Sequence, residues 1–598
     1  MSSRAAGGAM RARRPLVRSA RLWVPLGVFV AFVIGGGLGA WTLYQAANDV
    51  RADLEAARAE LATAQSAVAA GDTTRLVGSV DAAVASADKA VIGTRGWLWA
   101  LGEAIPGLGE NFRAVRVIAE STQTVTAEVG QPGVAIVARL SSPIDPATGG
   151  FDVTVIREAR DLTATTEQTF DRVVADLGTL DADATIGQIA SAAEEFVSLI
   201  DSARSALPPI EAGISAASMI LGVDGPRTID LAFMNSAEAS GLGGGPSAQM
   251  LMSADEGHLS FGQQPSSASF RNGVDLGLPI EDPVRQLYNT ILTDNINAST
   301  SRPDLPYSAS ILNAWLQRDL GVTVDGIVLA DPMALAAILS VTGPVALPDG
   351  TQLDAGNAVS MLLNEAYLRF SDPLDQDAFF KAAAFAVFEK LLSGGFELRP
   401  MLSALTTAAN NGSLMVWSAD PVVQSALDGT RLQGTLPTSN ADASVIGVYF
   451  RDRSSSKSSY YLSTATTVTT NTCAPEAPTY TVEVTLGISL PPGVELPPYA
   501  YSQLYDFWRT EVFVYGPVGG SGTAATIPVP ARSGETGPAV DDLGRPVVKF
   551  TIDSDDGQQA TVSATFAGRP GDVYAPTEVR TTPMINPTTV TLVQANCG

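Results

Sequence analysis

The stretch Thr228–Asn235 reads TIDLAFMN and marks a change of composition in the chain. Its β-branched, aromatic and other apolar residues are typical of a buried strand. A glycine-rich segment, SAEASGLGGG, follows at 236–245, and a second strand-like run, SAQMLMSA, follows at 247–254. The triplet 255–257 predicts a hairpin turn into a third strand at 258–262. The stretch therefore predicts the start of a β-sheet.

Amphipathic helices are predicted on the C-terminal side of this sheet. Apolar residues recur at helical spacing in five segments, at 284–296, 308–319, 332–341, 356–369 and 376–392. A short strand-like run, GIVLA, lies among them at 326–330. Because strands interleaved with helices indicate a layered α/β domain, we assign residues 223–455 to an α/β core.

Beyond Gly412 the sequence is dominated by strand-forming residues. Runs rich in Tyr, Val and Thr are separated by Gly, Pro and Asp turns, at 444–451, 459–472, 480–490, 511–515, 547–552, 560–566 and 588–592. Many short strands at this spacing favour a sandwich. We therefore expect a β-sandwich-like domain at residues 456–598, and an α+β multidomain chain as a whole.

The N-terminus has the pattern of a membrane anchor. Residues 1–21 contain six arginines and no acidic residue, and no charged residue occurs from Leu22 to Asn48. Roughly 20 apolar helical residues span a bilayer, so residues 22–46 predict a single transmembrane helix. Arginines before the span predict a cytoplasmic N-terminus and an extracytoplasmic remainder. The alternative is a cleaved signal peptide, whose apolar region is usually shorter.

The segment after the span is rich in alanine and in apolar residues at helical spacing. Ala and Leu are strong helix formers, so residues 47–222 predict a stalk of long helices. The acidic residues of this segment are interpreted as solvated helix faces.

The two cysteines, Cys473 and Cys597, both follow the predicted span. In an oxidising compartment such a pair tends to form a disulfide, which would connect the end of the chain to the start of the β-rich domain. The alternative is two free buried thiols.

Composition excludes several kinds of chemistry. The net charge of −25 argues against nonspecific binding of nucleic acid, because phosphates require a basic surface. The single histidine, His258, and two cysteines exclude a His-rich metal site or a zinc site built from cysteines alone. His258 itself is interpreted as a solvated residue of the hairpin. No metal or cofactor is expected.

The glycine-rich segment is the first candidate site. Asn235 and Glu238 end a hydrophobic strand, and Gly243 and Gly244 allow a backbone to approach a ligand closely or to form an anion-binding nest. These four residues are the candidate ligand-binding set. The alternative is a glycine-rich hairpin whose polar side chains bind its own backbone.

Three further residues are catalytic candidates. Arg302 and Asp304 flank a proline, and an arginine can bind phosphate through two hydrogen bonds, although a surface salt bridge is the alternative. Asp325 lies at the start of the short strand, whereas Asp331 is better placed to cap the next helix, with Pro332 in the first helical position.

Several motifs together resemble a known family. The segments RGWLW at 95–99 and IPGLGEN at 105–111, the Asn235–Glu238 motif leading to Gly243-Gly244, and residues 324–347 resemble membrane-anchored DUF4012 proteins of actinobacteria. The resemblance covers about residues 45–470 and implies a cell-envelope location without naming an activity.

A more distant likeness is to the LytR-CpsA-Psr (LCP) family, which transfers glycopolymers from polyprenyl-pyrophosphate carriers to the cell wall. It implies that Arg302 and Asp304 form part of a pyrophosphate site, with Mg²⁺ as cofactor. The segment 372–377, where that family carries arginines, has only negative charges here.

We therefore expect a single-pass envelope protein that binds a cell-wall polymer or an envelope protein during assembly or maintenance of the envelope. The alternative is an LCP-like phosphotransferase.

Overall fold

The computed structural model describes residues 20–70, 72–139, 144, 150–471 and 478–594, without the side chains of 20–40, 68 and 69. The chain divides into two compact units. One comprises residues 1–135 and 164–204, and the other comprises residues 136–163 and 205–598.

The first unit is built from helices. The helices that lie wholly or partly in it are α1 (Ala20–Ala70), α2 (Thr73–Thr94), α3 (Trp97–Glu103), α4 (Gly109–Val125), α5 (Gln131–Arg139), α6 (Val153–Leu177) and α7 (Gly187–Ser205). Asp72 caps α2 by accepting a hydrogen bond from the backbone N–H of Arg75 at 2.9 Å. Buried alanines such as Ala57, Ala83 and Ala87 let the first two helices pack closely.

The predicted membrane span lies within α1. In the part of the chain that the structure describes, no helix combines the length and the apolar character that crossing a bilayer requires. The side chains of residues 22–40, which make up most of the span, lie outside the described part of the chain. Residues 1–19 of the basic tail, Cys473 and Cys597 also lie outside it. The anchor and the disulfide therefore stay predictions.

A mixed five-stranded sheet forms the centre of the second unit. Its strand order is β3-β2-β1-β4-β7, in which β1 and β4 are parallel and the other neighbours are antiparallel. The strands are β1 (Arg227–Asn235), β2 (Gly245–Asp255), β3 (His258–Phe261), β4 (Gly326–Ala330) and β7 (Leu414–Ser418), and a separate ribbon pairs β5 (Val345–Ala346) with β6 (Gln352–Leu353).

Helices cover both faces of this sheet. The helices that lie wholly in this unit and precede the sandwich are α8 (Leu207–Ile220), α9 (Asp282–Tyr288), α10 (Ile291–Asp294), α11 (Leu305–Leu320), α12 (Pro332–Thr342), α13 (Ala358–Ser360), α14 (Ala366–Arg369), α15 (Pro373–Leu392), α16 (Leu398–Asn410) and α17 (Pro421–Leu427), and α18 (Pro498–Tyr501) follows later in the chain. Ile229 and Leu231 of β1 pack in one hydrophobic cluster with α8. Ala232 and Met234 face the opposite side and share a cluster with α11. This alternation follows from the two-residue period of a strand.

Two of the predicted helices are interrupted. The segment predicted as a helix at 284–296 is divided into α9 and α10, because Asn289 between them has a φ of +56°. The segment predicted at 356–369 contains α13 and α14 separated by a π-helical turn at Met361–Glu365. The strand predicted at 326–330 is β4 with the same bounds.

The C-terminal part is a sandwich of two sheets. One sheet has the order β12-β16-β10-β9-β18 and the other the order β13-β15-β11-β8-β17, with β14 beside β15. The strands are β8 (Ser444–Asp452), β9 (Leu462–Asn471), β10 (Thr479–Ile488), β11 (Trp508–Tyr515), β12 (Ser521–Val529), β13 (Ser533–Thr536), β14 (Val540–Asp542), β15 (Arg545–Ser554), β16 (Gln559–Ala567), β17 (Thr577–Thr581) and β18 (Thr589–Gln594). Alternate residues of β10, such as Val482 and Val484, pack in one cluster with Val512 and Phe550 of the facing sheet. The sandwich includes β8, which precedes the expected boundary at 456.

The sandwich and the α/β core share a hydrophobic cluster within the second unit. Tyr288 of α9 stacks on Phe513 of β11 with ring centroids 4.7 Å apart, and its hydroxyl lies 2.8 Å from that of Tyr515. The outer face of one sandwich sheet is therefore buried against the core, and the two parts position each other.

Candidate functional site

The carboxyl ends of the parallel strands β1 and β4 lie side by side at one edge of the core sheet. Phe233 pairs with Ala330, so that Asn235 and Asp331, which come just after them, lie at the same edge. In open sheets of this kind, ligands bind beyond the carboxyl ends of parallel strands. This edge is therefore the natural position for a site.

A narrow cleft lies at this edge, beside α12 and α15. Its cavity volume is about 60 Å³, within about 470 Å³ of empty space that includes the open mouth. The residues that line it are Phe233, Met234, Asn235, Ser247, Ala248, Ala330, Asp331, Pro332, Leu335, Leu362, Leu363, Tyr367, Phe380, Ala383 and Ala384. Because most of these side chains are apolar and the space is narrow, the cleft suits a slim apolar group better than a bulky polar polymer.

Asp331 has spare hydrogen-bonding capacity in this cleft. It caps α12 as predicted, since its Oδ1 accepts hydrogen bonds from the backbone N–H groups of Met333 and Ala334 at 2.8 and 3.0 Å. Its Oδ2 is buried, and among the described residues it has no partner of good hydrogen-bonding geometry. Burial raises the pKa of Asp331 to about 7, and hydrogen bonds from the backbone N–H of Ala334 and from the side chain of Ser413 oppose this rise. Asp331 thus places a titratable carboxyl group in the lining of the cleft, and one of its oxygens lacks a well-oriented hydrogen bond.

Asn235 is held in place by hydrogen bonds at the end of β1. Its Nδ2 donates to the hydroxyl of Tyr367 at 2.7 Å and to Oε1 of Glu238 at 3.2 Å. Its Oδ1 accepts from the backbone N–H of Ala237 at 3.2 Å. Burial raises the pKa of Tyr367, whose hydroxyl therefore stays protonated at neutral pH. Asn235 thus connects the strand to a wall of the cleft.

Glu238 forms a salt bridge with Lys457, which lies in the loop after β8. The ammonium group of Lys457 also lies over the ring of Tyr367, 4.8 Å from its centroid. Burial alone would lower the pKa of Lys457, but the attraction of Glu238 and Tyr367 outweighs it, and the pKa is raised. Lys457 is therefore a charged structural cation, paired with Glu238.

Backbone contacts strengthen this connection to the sandwich. The backbone N–H of Ala239 donates to the Ser459 hydroxyl at 3.1 Å, and the backbone N–H of Ser459 donates to the Ala237 carbonyl at 3.2 Å. The Asn235–Glu238 motif therefore holds a loop of the C-terminal domain against the core, besides bordering the cleft through Asn235.

The glycine run is packed against the protein's own backbone. A Cβ atom on Gly241 would lie 2.2 Å from the carbonyl oxygen of Ser301, and one on Gly244 would lie 2.4 Å from that of Asn235. Gly243 has a φ of +107° and is buried near Pro583. Because a larger side chain would not fit at these positions, the close approaches explain why glycines occur there. They agree with the alternative of a glycine-rich hairpin that has a structural role. The prediction that Gly243 and Gly244 cradle a ligand is not supported by this packing.

Arg302 lies beside this segment, but its guanidinium group is engaged elsewhere. It donates to both carboxylate oxygens of Asp542 at 3.2 and 2.6 Å, and it pairs with Asp304 at 2.9 Å. Asp304 also caps α11 by accepting from the backbone N–H of Tyr307. Burial raises the pKa of Asp304. Arg302 and Asp304 thus form a buried ion-pair network with the sandwich, and not the surface salt bridge that was the alternative.

Asp325 and His258 lie away from the cleft. Asp325 accepts a hydrogen bond from the backbone N–H of Thr228 at 2.7 Å, at the amino end of the parallel pair β1 and β4. His258 is the exposed first residue of β3. The structure therefore groups Asn235, Glu238 and Asp331 at one edge, with Gly244 packed on the backbone of Asn235, and it places Asp325 and His258 away from this edge.

Sequence reasoning missed Tyr367 and Lys457. Lys457 is separated by 219 residues from Glu238, with which it pairs. The only local signal is a single lysine within a serine-rich run at 454–459. Tyr367 lay inside a predicted helix, where a tyrosine is an ordinary core residue.

Comparisons with known proteins identify one domain. None of the curated proteins is similar in sequence to this chain. A solved structure, that of the Lin1025 protein from Listeria innocua, aligns over 36% of this chain and 84% of that chain with 12% identity and a TM-score of 0.20. The sequence model of a family described as a protein of unknown function (DUF4012) matches residues 224–367, so the chain contains a DUF4012 domain that includes β1, β4 and most of the cleft.

Proposed function

We propose that this chain is a membrane-anchored extracytoplasmic binding protein, and that its cleft takes the apolar chain of an envelope lipid during assembly or maintenance of the cell envelope. The observation that carries the proposal is a narrow, mostly apolar cleft at the carboxyl ends of β1 and β4, in which Asp331 is the one carboxylate of the lining. A buried carboxylate oxygen that lacks a well-oriented hydrogen bond is unfavourable, so a ligand that donates one hydrogen bond there gains binding energy.

The location rests on the sequence of the N-terminus. Six arginines precede a run of uncharged residues from Leu22 to Asn48, and this order favours a cytoplasmic N-terminus with the remainder outside. An anchored protein stays close to envelope lipids, and this proximity supports a lipid as the ligand.

The predicted disulfide is supported by strand register. The strands β9 and β18 run parallel, and Thr470 pairs with Gln594. Cys473 and Cys597 each follow their paired residue by three positions in the sequence. Because described residues close to the two cysteines in sequence are paired, we retain the disulfide as part of the proposal.

The phosphotransferase alternative is less well supported. A pyrophosphate site needs cations that face the ligand, but Arg302 pairs with Asp542 and Asp304, and Lys457 pairs with Glu238. Neither Lys nor Arg lines the cleft. Asp331 is the single carboxylate that lines the cleft, and in the described parts of the chain no three His, Cys, Asp or Glu side chains are placed to hold a metal ion together.

Photo-crosslinking of the full chain in native membranes tests the binding role. The probe is a long-chain alcohol with a diazirine group in its chain, and mass spectrometry locates the adducts. We expect adducts on the peptides that form the cleft wall, on α12 and α15, and we expect excess unlabelled alcohol to suppress them.

Two alanines of α15 provide a matched pair of variants. Ala384→Phe fills the cleft from its wall, whereas Ala382→Leu adds bulk at a half-buried position that does not line it. We expect the first variant to reduce labelling at least tenfold and the second to leave it unchanged. Equal labelling of both variants would refute the assignment of the cleft.

A further inference from the structure

The segment between α2 and α4 exposes large apolar side chains. We call residues 92–108 the apolar tip. Its exposed apolar residues, with exposed fractions from 38% to 72%, are Ile92, Trp97, Leu101, Ile105 and Leu108. The tip contains only two charged residues, Arg95 and Glu103, and Glu103 is paired with Arg116 at 2.6 Å. Several large apolar side chains exposed within one short segment indicate an interaction site.

The apolar tip lies beside the start of the extramembrane part of α1. A Cβ atom on Gly93 would lie 2.6 Å from a methyl group of Val50, and Trp99 shares a hydrophobic cluster with Val50 and Val91. Val50 is only four residues beyond the predicted span at 22–46. With a rise of about 1.5 Å per residue, this distance is about 6 Å along α1. The interfacial layer on each side of a bilayer has a similar thickness, about 5–8 Å.

The inner side of α3 fixes the orientation of the tip. Trp99 is buried, its Nε1 donates to the Phe112 carbonyl at 3.0 Å, and the two rings meet edge to face with centroids 5.1 Å apart. Gly102 also packs against the ring of Phe112. Because these contacts hold one side of α3 against α4, Trp97 and Leu101 stay exposed on the other side.

We propose that the apolar tip inserts into the interfacial layer of the bilayer, as a second membrane contact beside the anchor. This inference rests on the proposed membrane anchor. Tryptophan is enriched at membrane interfaces, and exposed leucine and isoleucine gain free energy by leaving water for the acyl boundary. The tip thereby fixes the orientation of α1 and α2 at the membrane surface.

Fluorescence quenching in vesicles tests the proposal with the full chain. Trp97→Cys and Leu108→Cys are each labelled with a nitrobenzoxadiazole dye and reconstituted in phosphatidylcholine–phosphatidylglycerol vesicles. Both positions are exposed, so labelling leaves the fold intact. The matched control is Leu199→Cys on α7, which is 57% exposed. Glu195, one turn before Leu199, pairs with Arg58 of α1. Because Arg58 is farther along α1 from the predicted span than Val50 is, position 199 serves as the control that lies away from the membrane. The wild-type chain, treated in parallel, gives the background from Cys473 and Cys597.

We expect lipids with a nitroxide near the headgroup to quench the dye at 97 and 108 at least threefold more strongly than at 199, and aqueous iodide to show the reverse order. If iodide quenches the dye at positions 97 and 108 as strongly as at position 199, the proposal is overturned. Protection from iodide without nitroxide quenching would also overturn it, because the tip would then bind protein. Flotation of the vesicles reports the anchor separately: a chain that fails to float contradicts the anchor, and the tip proposal falls with it.

Discussion

At the scale of single residues, Asp331 links the structure of the cleft to its proposed ligand. Its pKa of about 7 means that the carboxyl changes charge near neutral pH. Because an ionised oxygen accepts a hydrogen bond from an alcohol more strongly than a protonated carboxyl does, binding should strengthen as the pH rises through 7. Asp331→Asn keeps an N-cap residue and should remove this pH dependence. Crosslinking yields from pH 6 to 8 measure the effect. The same dependence of yield on pH in the wild type and in Asp331→Asn would contradict it.

Asp230 provides a second residue-scale prediction, on stability. It is fully buried on β1, and neither carboxylate oxygen has a partner among the described residues. Burial raises its pKa from 3.8 to about 8. Between pH 3.8 and about 8, Asp230 is protonated in the folded state and ionised in the unfolded state. The free energy of unfolding therefore falls as the pH rises, by about 1.4 kcal/mol per pH unit. The raised pKa of Asp331 also lowers the free energy of unfolding as the pH rises, up to about pH 7.

Asp230→Asn should therefore flatten the loss of stability between pH 5 and pH 8, and it should make the protein more stable at pH 8. Urea unfolding at the two pH values measures the change. A variant that loses as much stability as the wild type over this range would show that Asp230 is ionised in the folded protein.

At the scale of elements, the glycine segment after β1 is explained by packing. Gly241→Ala should destabilise the protein by about 1–3 kcal/mol, because the new methyl group meets the carbonyl oxygen of Ser301. Gly213→Ala in α8 has no atom within 4 Å of its Cβ position, and it should stabilise the helix by about 0.5–1 kcal/mol. Urea unfolding distinguishes the two signs. Equal effects would contradict the packing account of the segment.

Elements with a strong local pattern could be predicted, whereas contacts between distant segments could not. The GIVLA strand and the cap at Asp331 follow from local preferences, and both are present in the structure. The break at Asn289 depends on a positive φ that the surrounding sequence does not predict. The pairing of Arg302 with Asp542 joins residues that are 240 positions apart, so the sequence alone predicted only a phosphate-binding arginine or a surface salt bridge. The cleft likewise forms only when β1, β4 and α15 come together.

At the scale of the whole molecule, the proposed disulfide would connect the end of the chain to the segment after β9. A loop of this length predicts about 4–5 kcal/mol of stabilisation on the chain-entropy model. We expect the native chain to resist alkylation at Cys473 and Cys597 until it is reduced, and Cys597→Ser to lower the unfolding temperature. Intact-mass analysis with and without reductant checks the bond. Full alkylation of both thiols in the unreduced chain would exclude it.

Native mass spectrometry of the full chain, released from the membranes of its own cells, tests the central claim most directly. The account predicts a co-purifying apolar molecule with one hydrogen-bond donor, retained by Ala382→Leu and lost from Ala384→Phe. A chain that carries no such molecule, or two variants that carry it equally, would contradict a lipid-binding cleft at the end of β1 and β4.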